Sequence, residues 1–85
     1  MTEVSTDAIT TFMREQIASL IKSDVTEIDP DTEFINFGID SIHALFLIDG
    51  LERKFKVEVN PLYFWECPTI RLLAKKIGES QHKIV

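Results

Sequence analysis

The residues best able to carry chemistry gather around Ser41, in the run Phe37-Gly38-Ile39-Asp40-Ser41-Ile42. A serine opening a helix stands among unpaired backbone N–H groups at the positive end of the helix dipole, where a phosphate or phosphodiester is favoured. The same position suits a plain N-cap, which Asp40 and Ser41 both fit. Hydrolysis is a poor match. His43 lies two positions along and about 200° round a helix from Ser41, out of easy reach as a base, and neither a Gly-x-Ser-x-Gly elbow nor a Gly-rich phosphate loop is present. The two histidines, His43 and His82, fall in no metal-ligand spacing. Cys67, the single cysteine, allows neither an internal disulfide nor a Cys-based zinc site, and its place before Pro68 reads as packing.

Several elements must hold Ser41 in place. Ile9, Phe12, Met13, Ile17, Leu20 and Ile21 recur on one face of a helix between Asp7 and Lys22, with Thr6 or Asp7 as its N-cap. Residues 23–40 break that period at Asp29-Pro30-Asp31 and Gly38, a connection long enough to point to function. Val25, Ile28, Phe34, Ile35 and Phe37 are spaced to pin it to the core. From Ser41 to Phe55 a second helix carries two apolar stripes. Ala44, Leu47, Ile48, Leu51 and Phe55 make a core face, whereas Ile42, Leu45 and Phe46 share their side with Asp49, Glu52 and Arg53. Three large hydrophobes rimmed by charge read as a contact patch, with burial in a tight bundle as the alternative. Gly50 sits on the same side as His43 and permits a close backbone approach.

Lys56-Val57-Glu58-Val59-Asn60 has no evident strand to pair with and reads as a loop. Leu62-Tyr63-Phe64-Trp65 forms a short helical turn with Pro61 at its first position, and Phe64 and Trp65 read as core or as the lining of a cavity. Thr69 caps a last helix bearing Ile70, Leu73, Ala74 and Ile77 on one face, and Gly78 ends it. The expectation is an all-α, small four-helix bundle, three main helices and one short one, with a long first loop. It is a single domain over residues 1–85, with a core at about 7–77 and flexible tails at 1–5 and 79–85.

Eighty-five residues and 9.8 kDa leave room for one core only. Folding should bury roughly 64% of the extended chain's surface, enough for a small core without disulfides. A hydrophobic content of 45% with three Gly and three Pro argues against disorder. The net charge of −5 is uneven: residues 23–52 hold eight acids and no Lys or Arg, while residues 53–85 carry +4. An acidic middle repels nucleic acid and favours basic partners. With no export signal or membrane-spanning run, the expectation is a cytoplasmic protein.

The run Phe37-Gly38-Ile39-Asp40-Ser41-Ile42, continuing through Leu47, Leu51-Glu52 and Phe55 to Pro68-Thr69-Ile70 and Leu73-Ala74, resembles the acyl carrier protein family, particularly the carriers of polyketide and nonribosomal peptide assembly. Asp-Ser-Ile alone is weak; its combination with Leu-Glu-x-x-Phe and Pro-Thr-Ile is strong. The resemblance covers about residues 7–77 and implies a four-helix bundle whose Ser41 is esterified with 4′-phosphopantetheine from coenzyme A. The arm's thiol would hold an acyl or aminoacyl group as a thioester, and the carrier itself would catalyse nothing. Implied partners are a phosphopantetheinyl transferase, a loading enzyme (acyltransferase, adenylation enzyme or ligase) and a ketosynthase or other condensing enzyme, acting on a monomer. Asp40 is the candidate for transferase recognition, alongside its capping role. Ile42, Leu45, Phe46, Asp49 and Glu52 are the candidates for the docking face. Phe46 and Arg53 stand where carriers of fatty acid synthesis usually place acids, and Gly38-Ile39-Asp40-Ser41 leans towards the polyketide type without excluding an aminoacyl cargo. The Met1 start favours a discrete carrier, with an excised synthase domain as the alternative. An unmodified helical interaction module and a small hydrolase stay as competitors.

Overall fold

The computed structural model describes residues 5–81, so the expectations for residues 1–4 and 82–85, including His82, lie outside the described residues. Four helices follow one another: α1 (Thr6–Ile21), α2 (Ser41–Phe55), α3 (Tyr63–Glu66) and α4 (Ile70–Gln81). Among the described residues the pairing of extended backbone is limited to one isolated bridge, Glu33 with Thr69.

The 3.6-residue period placed most of the core, but Leu20 and Ile21 at the end of the expected α1 face are exposed, and Val57 and Val59 of the loop after α2 are buried with it. Ile9, Met13 and Ile17 of α1, Leu47 and Leu51 of α2, and Ile70, Leu73, Ala74 and Ile77 of α4 are essentially inaccessible to water. Each large aliphatic side chain so buried favours folding by about 1.5–3 kcal/mol. α1 runs against both α2 and α4. Where α1 crosses α2 the close approach open to Gly50 is realised, since a Cβ there would lie 3.1 Å from the end of the Phe12 ring. That ring meets Phe55 edge-on, with centroids 5.6 Å apart.

The helix ends differ from expectation. Ser5, not Thr6 or Asp7, caps α1, its Oγ accepting the Ala8 N–H at 3.1 Å. α1 and α2 end at lysines, Lys22 and Lys56, in the left-handed conformation with φ 59° and 58°. Gly78 does not stop α4, which continues to Gln81. Its missing Cβ admits the Thr6 hydroxyl, which would lie 3.1 Å away, so this glycine serves a crossing. Nor is Pro61 the first residue of α3: Asn60 starts an Asx turn, its Oδ1 accepting the Leu62 N–H at 2.9 Å, and Leu62 becomes the cap position. Thr69 does cap α4, through the Leu72 N–H at 3.2 Å.

The long connection is held both by apolar residues, with Ile28 and Phe34 in the core and Phe37 and Ile39 packed against it, and by polar contacts. Val25 and Ile35 are exposed, against expectation. Arg14 of α1 donates to the carbonyls of Ile28 (2.8 Å) and Val25 (3.0 Å). Arg71 of α4 forks onto Asp31 (2.6 and 3.3 Å), and its amide donates to the Pro30 carbonyl. The Phe34 N–H donates to the Pro68 carbonyl at 2.8 Å. Two 3₁₀ turns, Val25–Glu27 and Phe34–Phe37, give the segment local order. Gly38, at φ 78°, closes the second one and turns the chain towards α2.

Candidate functional site

Ser41 is the first residue of α2, exposed to solvent, and its hydroxyl has no hydrogen-bond partner among the described residues. The residue before it does the capping. Asp40 accepts the His43 N–H at 2.9 Å and lies 2.9 Å from the His43 Nδ1. The imidazole contact is electrostatic only, because Nδ1 is buried without hydrogen-bond geometry to any partner. The His43 amide, helped by the imidazole, holds the Asp40 carboxyl below the usual aspartate range. Asp40 therefore neutralises part of the anion-attracting end of α2, and that end is not the open phosphate site a bare helix start would be.

Beside Ser41 lies an apolar groove of about 610 Å³. Its floor is Phe34, Ala44, Ile48 and Phe64, and its rim includes Ile35, Leu45 and Trp65. Phe64 packs on Phe34 with centroids 4.9 Å apart, which fixes α3 to the long connection. Trp65 was expected in the core or lining a cavity; it is 77% exposed and stands on the groove's rim. No Lys or Arg lines the groove, whose charged residues are Glu33 and Asp40. A phosphate beside Ser41 would accordingly meet no Lys or Arg in the groove's lining and would be held by its covalent bond. Cys67, half-buried, has its thiol pushed up by desolvation, which disfavours the reactive thiolate.

The outer stripe of α2 is open. Ile42 (65% exposed), Leu45 (57%) and Phe46 (64%) are all uncovered, while Leu47, Ile48 and Leu51 are buried. Leu45 lines the groove; Ile42 and Phe46 do not. The two acids expected to rim this patch are both engaged within the chain. Asp49 pairs with Arg53 (3.1 Å), and Glu52, half-buried, accepts the Val59 N–H (3.0 Å) and so anchors the loop after α2. Ile35, expected to pin the connection to the core, and Ile39, in the run around Ser41, both line the groove, a role the sequence assigned to neither. Nothing in the irregular spacing separates an outward Ile35 from an inward Phe34. Among the described residues no His, Cys, Asp and Glu cluster fit to hold a metal is found, and no helix is long and apolar enough to cross a membrane.

A small helical bundle with an unpartnered serine at a helix start, next to an apolar groove, has the layout of a carrier-type domain. Residues 11–77 match the family model described as the phosphopantetheine attachment site. The chain belongs to that family, whose members bind phosphopantetheine covalently. It is 34% identical over 73 residues, 86% of its length, to a stretch of the polyketide synthase PksN of Bacillus subtilis. It spans about 1% of that protein, a segment of a far larger synthase. Over 63 residues it is 35% identical to the malformin synthetase mlfA of Aspergillus brasiliensis, covering 74% of this chain and 1% of that one. Among solved structures it superposes on a free-standing peptidyl carrier protein from Acinetobacter baumannii with a TM-score of 0.83 and 30% identity, covering 93% of this chain and 99% of that one. An acyl carrier protein from Anabaena sp. PCC 7120, with a variant phosphopantetheinylation-site sequence, gives 0.82 and 32%, covering 94% and 91%. The all-α fold expected from the sequence and the assignment to carrier domains of polyketide and peptide synthase systems both hold.

Proposed function

We propose that Ser41 is the attachment residue, and that the domain presents acyl intermediates to the loading and condensing enzymes of a polyketide or hybrid secondary-metabolite pathway. The observation that carries the reading is the unpartnered Ser41 hydroxyl at the first position of α2, with Asp40, not Ser41, serving as the cap. A capping serine would have its oxygen engaged with the helix amides; this one is left for modification. The bound group supplies a thiol at the end of a flexible arm, which holds a carboxylic acid as a thioester. The chain's own residues start α2 rigidly at Asp40, keep the hydroxyl in solvent, and offer the apolar groove to the nonpolar part of a cargo.

The domain has no catalytic role in this reading and works as a monomer in the cytoplasm. Its partners are a phosphopantetheinyl transferase, a loading enzyme (acyltransferase, adenylation enzyme or ligase) and a ketosynthase or other condensing enzyme. Asp40 beside the attachment point, and Ile42, Leu45 and Phe46 along α2, are the contact residues; Asp49 and Glu52 flank them. Nonribosomal peptide assembly, with an aminoacyl cargo, is the second reading. The similarity to a peptidyl carrier protein at 30% identity favours it, while the apolar lining of the groove favours an acyl chain.

The test is the intact mass after incubation with coenzyme A, magnesium and a broad-specificity phosphopantetheinyl transferase. The wild type should gain one phosphopantetheine group and Ser41→Ala none, while both remain folded. An unmodified, folded wild type beside a competent control carrier would return Ser41 to a structural role and favour an interaction module.

A further inference from the structure

The groove beside Ser41 has an apolar floor and charge of one sign only. Its volume of about 610 Å³ lies within the roughly 300–1,000 Å³ of small-molecule sites, and Ser41 stands in its wall. A chain tethered there meets the groove at an effective concentration on the order of millimolar, so modest apolar contacts suffice to seat it. The charged residues of the lining are two acids, Glu33 and Asp40, with no Lys or Arg among them. Asp40 is occupied at the start of α2, where it accepts the His43 N–H and offsets the helix end that would otherwise attract an anion. Glu33 is differently placed. It belongs to the long connection, caps no amide of the 3₁₀ turn it precedes, and pairs with no cation among the described residues. Arg14 and Arg71, which reach this connection from α1 and α4, are engaged by the Ile28 and Val25 carbonyls and by Asp31. The backbone bridge to Thr69 fixes Glu33 in position.

Resting on the reading of Ser41 as the attachment residue, we propose that the groove takes neutral acyl chains and refuses those ending in a carboxylate, with Glu33 as the residue that sets this choice. An uncharged chain exchanges water for Phe34, Ile48 and Phe64 and is held by apolar burial. A carboxylated chain of the same length brings an anion out of water to a place with two like charges and no cation, which is strongly disfavoured. Its end stays in solvent, and the arm with it. Two acyl groups on one arm thus take different positions, the neutral one folded against the domain and the carboxylated one extended. An enzyme that takes its acyl group from solution meets the carboxylated one more readily.

The experiment loads the full chain from octanoyl-coenzyme A and, separately, from the coenzyme A thioester of octanedioic acid, using a broad-specificity phosphopantetheinyl transferase, and checks each product by intact mass. The two cargos have equal length and differ in one terminal carboxylate. Melting temperature and the methyl NMR spectrum are then compared with those of the chain bearing the unloaded arm. Octanoyl should raise Tm by about 4 °C or more, and octanedioyl at neutral pH by less than about 1 °C. The methyl signals of Ile35, Ile39 and Ile48 should move with the first cargo and stay in place with the second. Glu33→Lys, which supplies a cation through a side chain that caps nothing, should let octanedioyl raise Tm by about 2 °C or more and leave the octanoyl effect intact. Glu33→Gln, nearly the same shape, should show the same change at smaller size. Equal shifts for the two cargos in the wild type would overturn the proposal, as would octanoyl loading that moves neither reading. An octanedioyl chain still refused by both folded variants would overturn the role given to Glu33. Absence of mass gain from either thioester, beside a competent control carrier, would instead sink the attachment reading, and this inference with it.

Discussion

The two faces of α2 carry much the same residue types and have opposite fates. Leu47, Ile48 and Leu51 point inward and are closed off from water, while Ile42, Leu45 and Phe46 point outward and are more than half exposed. Hydrophobicity alone does not separate them; the angle around the helix does. The inner set continues one stripe through Phe55 and meets α1, whereas the outer set begins beside Ser41 and has no helix to meet. A second apolar stripe on a short helix is evidence for a transient contact when the first already satisfies the core.

The contrast is sharpest in stability. Leu51→Ala should destabilise the domain by about 2–5 kcal/mol, since it opens a cavity at a fully buried site. Ile42→Ala should stay within about 0.5 kcal/mol of wild type, as surface changes do. Urea denaturation of both variants checks the pair, and equal losses would mean that the outer stripe is part of the core.

Next in size is the end shared by both faces. Asp40→Ala should lower stability at neutral pH by removing the α2 cap. The Asp40 carboxyl titrates below its ordinary value of 3.8 in the folded chain, so its contribution is full above that value and fades as pH falls through the lower, folded one. The wild type and the variant should therefore differ at neutral pH and converge in strong acid, as thermal melts across that range would show. A gap that persisted in acid would assign the loss to packing instead of to the charge.

The smallest effect is expected at Gly50, on the side facing α1. Alanine there gains roughly 0.5–1 kcal/mol of helix propensity. Its Cβ would press on the Phe12 ring at 3.1 Å, and that ring is held between Phe55 and Lys54. Gly50→Ala is expected to be slightly destabilising alone and stabilising in a Phe12→Ala background, a coupling that a double-mutant cycle measures.

The bounds of α2 were legible because one strong period starts after Asp40 and stops at Phe55, and the α4 cap was legible because Thr69 precedes the first apolar residue of its stripe. Other features carried no such signal. Ser5, Thr6 and Asp7 are three consecutive capping types, and periodicity cannot choose among them. Lysines in the left-handed conformation end α1 and α2, where a glycine would have been the readable mark, while Gly78 marks a helix crossing. Ile35 and Phe34 are neighbours in an irregular segment whose outward and inward choices depend on Pro68 and Phe64, far along the chain. Of the candidate site, the place of Ser41 at the start of α2 could be read from spacing, which left the outer stripe between an open patch and burial in a tight bundle. The groove, assembled from the long connection, α2 and α3, and the internal pairing of the outer stripe's acids required the fold.

Trp65 is the one tryptophan of the chain, and it stands 77% exposed on the rim of the groove. An indole so placed emits as it would in water, and its emission moves to shorter wavelength when something apolar covers it. The domain therefore carries a built-in optical gauge of what fills its groove, legible without any added dye.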